Sequence, residues 1–286
     1  MVTELDKNKD GKVTRDEATK GQWHKLERMD TNGDGGVNAE EAGGFRQRGV
    51  RPAGVPMSYE VRSFSSKENA ELSYGWLRPA KVETGKRYPL VLCLHGAGGS
   101  SYAAELLAAA RMRERFPCFV MAPGSDKKEA FWMNTDVIER RTDSEKLPIV
   151  IEALRSLLPL EAIDPARIYV TGQSMGGAGT WGAIATYPEL FAAAVPTAGA
   201  WNPKHAAAMT RVPVWAFHGG ADPVVPARWE RELCEAITKA GGTAKYSEFP
   251  DLGHNSWTKA YDDPATWDWL FAQRKATETP IQKSKP

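Results

Sequence analysis

The run Arg167-Ile-Tyr-Val-Thr-Gly172-Gln-Ser174-Met-Gly176-Gly177 joins a short apolar segment to a serine flanked by glycines. Residues 167–170 read as a buried strand, and residues 174–187 carry the spacing of a helix. A serine at such a strand-to-helix turn is held in a strained, exposed position, and small neighbours let the backbone turn sharply. The helix N-terminus behind Ser174 also favours a developing negative charge. In a chain with 26 glycines the Gly-x-Ser-x-Gly pattern alone says little. Between a buried strand and a helix it marks Ser174 as a nucleophile.

Outward from this turn the same alternation repeats. Residues 90–94, 119–121, 193–195 and 212–217 are short, nearly continuous apolar runs, separated by helix-like stretches at 101–115, 143–158 and 227–240. Strands buried on both faces that alternate with helices define an α/β class: a mostly parallel sheet flanked by helices. Residues 59–64 and 71–77 alternate with period two, which predicts an antiparallel pair at the sheet edge. Pro159 and Pro188 stand where two helices should stop, and residues 264–275 predict a closing helix.

A nucleophilic serine needs a base, an acid that orients it, and donors for the oxyanion, in the chain order Ser, acid, His. Of five histidines, His254 alone is both late in the chain and on a loop after the final strand, in Asp251-Leu-Gly-His254-Asn-Ser-Trp257. His218-Gly-Gly-Ala-Asp222-Pro-Val-Val-Pro226 places Asp222 on a turn at the end of a strand. Asp251 is the weaker candidate, lying too close to His254 along one loop. In Leu94-His95-Gly-Ala97-Gly-Gly99 a glycine turn follows another strand. Its backbone can supply one oxyanion donor at Ala97, with the second at Met175. A tight glycine turn with no catalytic part is the other reading of that motif.

These four motifs resemble the α/β-hydrolase superfamily over residues 57–275. More narrowly they are similar to feruloyl and acetylxylan esterases, polyhydroxybutyrate-depolymerase-like enzymes and stand-alone prolyl-oligopeptidase-like domains. The resemblance implies the chemistry: Ser174 attacks an acyl carbon, His254 shuttles the proton, and water releases the acid.

Residues 1–45 differ in composition, being rich in Asp, Asn, Gly and Glu. Asp6, Asn8, Asp10, Gly11 and Glu17 match a calcium loop at positions 1, 3, 5, 6 and 12, and Asp30, Asn32, Asp34, Gly35 and Glu41 match it again. Lys12 and Gly36 stand at position 7, which supplies a backbone carbonyl. One match could be a polar turn; two suit a pair of loops. The segment resembles a compact EF-hand pair, a small helical unit holding two structural Ca2+ ions, with no cofactor needed for catalysis. Residues 46–56, with Gly49, Pro52, Gly54 and Pro56, read as a linker, and residues 276–286 as a tail.

With a formal net charge of +1, the composition offers no electrostatic case for a nucleic-acid partner, and no apolar run is long enough for a membrane span. Cys93 and Cys118 lie in segments that can be neighbouring strands, which leaves a disulfide open beside the reading of buried thiols. No export signal stands within the sequence. A secreted or periplasmic location is nonetheless expected, the signal lying ahead of residue 1.

Residues 197–211 hold at most one short helix and no cap, so the expected partner is a bulky ester, such as one linked to a polysaccharide. Trp132, Trp201 and Trp257 are candidate substrate contacts, with Phe131 and Asn134 beside the first. Core packing is the alternative for any of the ten tryptophans. A plant cell-wall ester, feruloyl or acetyl, is the favoured substrate. A serine peptidase, or a calcium-dependent binding module on an inactive hydrolase fold, are the competing functions.

Overall fold

The computed structural model describes residues 5–19, 22, 23, 26, 35–38, 55–68, 70–124, 132 and 146–275. The chain divides into two compact units, residues 1–51 and 52–286. In the first, β1 (Lys12–Thr14) pairs antiparallel with β2 (Gly36–Asn38), and Val13 faces Val37. These two valines and Leu26 form a small buried cluster, with Leu5, Ala18 and Trp23 packed against it. Asp30, Asn32, Asp34, Glu41, Phe131, Asn134, residues 46–54 of the expected linker and the tail lie outside the described residues.

The second unit opens with β3 (Glu60–Ser65) and β4 (Glu71–Leu77), paired antiparallel as their period-two patterns predict. After them come β5 (Tyr88–Leu94), helices α1 (Tyr102–Ala108) and α2 (Ala110–Arg115), β6 (Phe119–Pro123), α3 (Leu147–Leu157), β7 (Ile163–Gln173) and α4 (Met175–Thr186). The unit closes with β8 (Ala193–Thr197), the four-residue α5 (Ala206–Met209), β9 (Val214–Gly219), α6 (Ala227–Lys239), β10 (Ala244–Phe249), α7 (Trp257–Asp262) and α8 (Pro264–Ala272). The eight-stranded sheet runs β10-β9-β8-β7-β5-β6-β4-β3 and is parallel from β10 to β6.

Strand β5 shows why its sequence reads as a continuous apolar run. Leu90, Leu92 and Leu94 point into one core with α3, α4 and α6, whereas Val91 and Cys93 point into the other with α1, α7 and α8. Both faces are covered, so no position is left for a polar side chain.

Three details differ from expectation. The helix predicted over residues 101–115 breaks at Ala109, whose ψ of 139° is extended. The closing helix ends at Ala272 and is preceded by α7, which the sequence did not announce. Cys93 and Cys118 are both free and buried. Their strands are neighbours, but the register pairs Leu90 with Phe119, so Cys118 stands opposite Pro89. The two cysteines are therefore offset along the sheet, and no disulfide joins them.

Candidate active site

Ser174 links β7 to α4 with φ 55° and ψ −117°, a region that side chains rarely adopt. Close packing holds it there. Its N–H donates to Thr197 O at 2.9 Å, and its carbonyl accepts from Ala178 N at 2.9 Å. Gly172 and Gly176 lie against Leu94 O so closely that a Cβ on either would overlap backbone atoms. The glycines of the motif are therefore required by the approach of β5 to the turn.

The turn carries the hydroxyl to His254, with 2.8 Å between Oγ and Nε2. The opposite nitrogen of His254 lies 2.7 Å from Asp222 Oδ2, which fixes the tautomer as Nδ1–H donating to the carboxylate. Asp222 Oδ1 accepts from the N–H groups of Val224 at 2.8 Å and Val225 at 3.0 Å. Burial alone would raise the Asp222 carboxyl. The bonds from His254, Val225 and Val224 outweigh it and hold the group below its ordinary value, so it is ionised at neutral pH. Met175 opens α4 and Ala97 is exposed on the turn after β5. The first N–H groups of a helix have no partner within it, which leaves Met175 free to serve an oxyanion.

Of the three candidate substrate tryptophans, Trp257 stands at the site, half-buried, with its ring edge-on to His254 at 5.3 Å. Trp201, on the loop after β8, is 6% exposed, and its Nε1 has no hydrogen-bond partner among the described residues. Trp132 corrects the expectation: it is fully buried, donates from Nε1 to His95 O at 3.0 Å, and packs against Gly179 of α4. It braces the turn after β5 and offers no face to a substrate. Segment 197–211 holds one 3-10 turn and α5, with no cap.

Sequence reading missed two groups behind the acid. His218, at the end of β9, and Glu230, on α6, are both fully buried, with His218 Nδ1 2.6 Å from Glu230 Oε2. Burial alone would lower the His218 pKa, but the hydrogen bond and charge of Glu230 win and push it up to about 9. His95 moves the other way, burial holding its pKa below 6.5.

The signs of these two shifts set a pH optimum for stability. The contribution of His218 is complete below its ordinary 6.5 and is lost as pH rises through about 9. Below pH 6.5 the unfolded chain protonates His95 and the folded chain resists it, so stability falls on that side too. Thermal midpoints measured from pH 5 to 9 are expected to peak near 6.5; a midpoint that climbs steadily to pH 9 would refute the assignment.

In the first unit, Glu17 accepts from Lys7 N, Asn8 N and Thr14 N, and Asp6 Oδ2 accepts from Gly11 N. The backbone bonds from Thr14 and Asn8 hold the Glu17 carboxyl below its usual range. Asp6 Oδ1 is buried, with no hydrogen-bond partner among the described residues. Among the described residues no cluster of three or more His, Cys, Asp or Glu side chains is arranged to hold a metal ion.

A strained serine, a histidine and an aspartate at the carboxyl ends of parallel strands, under a sheet covered on both faces, define an α/β-hydrolase. Residues 109–279, more than half of the chain, match the model of the dienelactone hydrolase family. The chain belongs to that family, which the motif resemblance did not name. A thermostable esterase of known structure is 33% identical with a TM-score of 0.69, over 76% of this chain and 64% of its own. Poly(3-hydroxyalkanoate) depolymerase C of Paucimonas lemoignei is 34% identical over 116 residues, 39% of this chain and 28% of the depolymerase. A probable carboxylesterase of Oryza sativa subsp. japonica is 26% identical over 58% of this chain and 81% of its own. The chain thus spans less than two thirds of the first two relatives. A ferulic acid esterase shares the fold, with 17% identity and a TM-score of 0.57. Among the described residues no helix is long and apolar enough to cross a membrane.

Proposed function

We propose that this protein is a serine carboxylic-ester hydrolase that works through an acyl-enzyme on Ser174. The observation that carries the reading is the unbroken line from Ser174 Oγ through His254 to Asp222, at 2.8 and 2.7 Å. His254 Nε2 takes the Ser174 proton as Oγ attacks the acyl carbon, and Asp222 stabilises the imidazolium that forms. Ala97 and Met175 N–H groups hold the oxyanion. His254 returns the proton to the leaving alcohol, and a water, activated by the same nitrogen, releases the acid.

The favoured substrates are plant cell-wall esters, feruloyl or acetyl, attached to polysaccharide and met by a secreted or periplasmic enzyme. The uncapped loop 197–211 and the exposed Val224 beside Asp222 support a bulky substrate. Initial rates on p-nitrophenyl acetate, methyl ferulate, acetylated xylan and a peptide p-nitroanilide decide the class. Turnover of the esters without the anilide is expected, and the ratio among esters names the acyl group. Preference for the anilide would make the protein a peptidase, a reading helped by a 24% identical uncharacterized peptidase of Bacillus subtilis that aligns over 77% of the chain.

The first unit is proposed to be an EF-hand-type pair. Asp6, Asn8, Asp10, Glu17 and the Lys12 carbonyl would hold one structural Ca2+, and Asp30, Asn32, Asp34, Glu41 and the Gly36 carbonyl the other. Calcium at 100 times its Kd would stabilise that unit by about 2.7 kcal/mol. Chelation is expected to lower its melting temperature and leave ester turnover unchanged. Chelation that leaves melting unchanged, or that abolishes turnover alone, would overturn the structural role.

A further inference from the structure

Behind the acid of the site lie two buried ionisable groups that the triad does not use, His218 and Glu230. His218 Nδ1 faces Glu230 Oε2 at 2.6 Å; its Nε2 faces Val225 O at 2.9 Å and Asp222 Oδ2 at 3.2 Å. Every partner is an oxygen that accepts, and two belong to carboxyl groups. A neutral ring would aim a lone pair at one of them. The proton on the Nδ1 line could instead sit on Glu230. Burial raises the Glu230 carboxyl above its ordinary value, but His218, the Trp181 Nε1–H donating to Oε1 at 2.8 Å and the N–H of Gly199 all act the other way and favour its ionised form.

We infer that His218 is a buried imidazolium, held charged by Glu230, that positions the Asp222 carboxylate for His254. The inference rests on the serine-hydrolase reading above. His218 grips the turn 219–225 at two points, the Val225 carbonyl and the Asp222 carboxylate. It also shares Oδ2 with His254, whose Nδ1 reaches the same atom at 2.7 Å. One cation therefore stands between two carboxylates, and Asp222 divides its charge between two imidazole rings. Glu230 ties this cluster to α4 through Trp181, so the nucleophile helix and the acid turn share one buried anchor.

The other ionisable groups around His218 are accounted for. Glu248 is its register partner on β10 and is neutralised by Arg231 at 2.5 Å, with Tyr246 OH at 2.6 Å. From α7, Tyr261 bonds Thr171, and on α6 the Cys234 thiol is kept protonated by burial. None of these supplies a second counter-charge to Nδ1.

Two measurements test the inference. Histidine ring 15N spectra, with the His218 signals identified by their loss in His218→Gln, report its charge without any substrate. Labelling of Ser174 by a fluorophosphonate reports the reactivity of the serine without knowledge of the natural ester. In the wild type at pH 7.5, both His218 nitrogens are expected to carry protons. The labelling rate is expected to fall at high pH with an inflection near that of the ring, about 9. In Glu230→Gln the amide can donate to Nδ1 and leave the ring neutral. Labelling at pH 7.5 should then slow three- to thirtyfold, without the alkaline inflection. Rescue is expected in neither Glu230→Ala nor Glu230→Leu, which supply no partner at all.

A wild-type ring found neutral at pH 7.5 overturns the inference even if no Glu230 variant folds. So does a folded Glu230→Gln with the wild-type labelling profile. A wild type that carries a charged His218 yet never labels would instead sink the serine-hydrolase reading, and the positioning role with it, while leaving the ion pair in place.

Discussion

Ser174→Ala is expected to lower kcat for p-nitrophenyl acetate by about 10⁴–10⁶-fold, because removing the nucleophile of a triad leaves only the oxyanion donors and binding. The geometry makes the effect specific. Ser174 Oγ is the atom within 2.8 Å of His254 Nε2, and the side chain takes part in no N-cap hydrogen bond of α4. Losing the hydroxyl therefore removes the reacting group and leaves the turn in place, so the melting temperature should change little. The positive φ of Ser174 is already tolerated by a residue with a Cβ, and alanine adds no strain there. Rates measured with enough protein to see a 10⁶-fold residue would settle the matter; activity within tenfold of wild type would mean that another group attacks the ester.

The second large effect is on folding. Gly176→Ala should destabilise the hydrolase unit by about 3 kcal/mol or more, since the added methyl overlaps Leu94 O and lies 2.6 Å from Leu94 C. Both are backbone atoms of a central strand buried on both faces, so neither can move aside cheaply. For a unit of this size 3 kcal/mol corresponds to roughly 6–12 °C in Tm. Gly98→Ala is the control: a Cβ there meets nothing within 4 Å. Differential scanning calorimetry of the two variants gives the comparison, and equal midpoints would contradict the packing described for the turn.

The triad was legible in the sequence because each member sits on its own turn at the end of a strand, and turns announce themselves through Gly and Pro. Gly172 and Gly176 frame Ser174, Gly219, Gly220 and Pro223 frame Asp222, and Gly253 precedes His254. The mostly parallel sheet was legible for a similar reason: runs such as Leu90–Val91–Leu92 lack any polar face.

What stayed hidden depends on contacts between elements. Glu230 reads as one charge on an amphipathic helix; only the packing of α6 on β9 carries it to His218, twelve positions earlier. His218 was visible in the motif of Asp222 but looked like the end of a strand. Trp132 was misread because a polar neighbourhood in sequence says nothing about the core it enters, here between His95 and Gly179. Ala198 has φ 48° without being glycine, so no composition signal marked the turn that receives Ser174 N–H. The break at Ala109 likewise has no proline or glycine to announce it.

The central claim is an acyl-enzyme on Ser174. The most direct measurement is to quench the protein in acid during turnover of p-nitrophenyl acetate and map its peptides by mass. An acetyl group is expected on the peptide that contains Ser174, formed at the rate of the p-nitrophenol burst and missing from Ser174→Ala. Acetylation confined to another residue, or a burst that persists in Ser174→Ala, would contradict it.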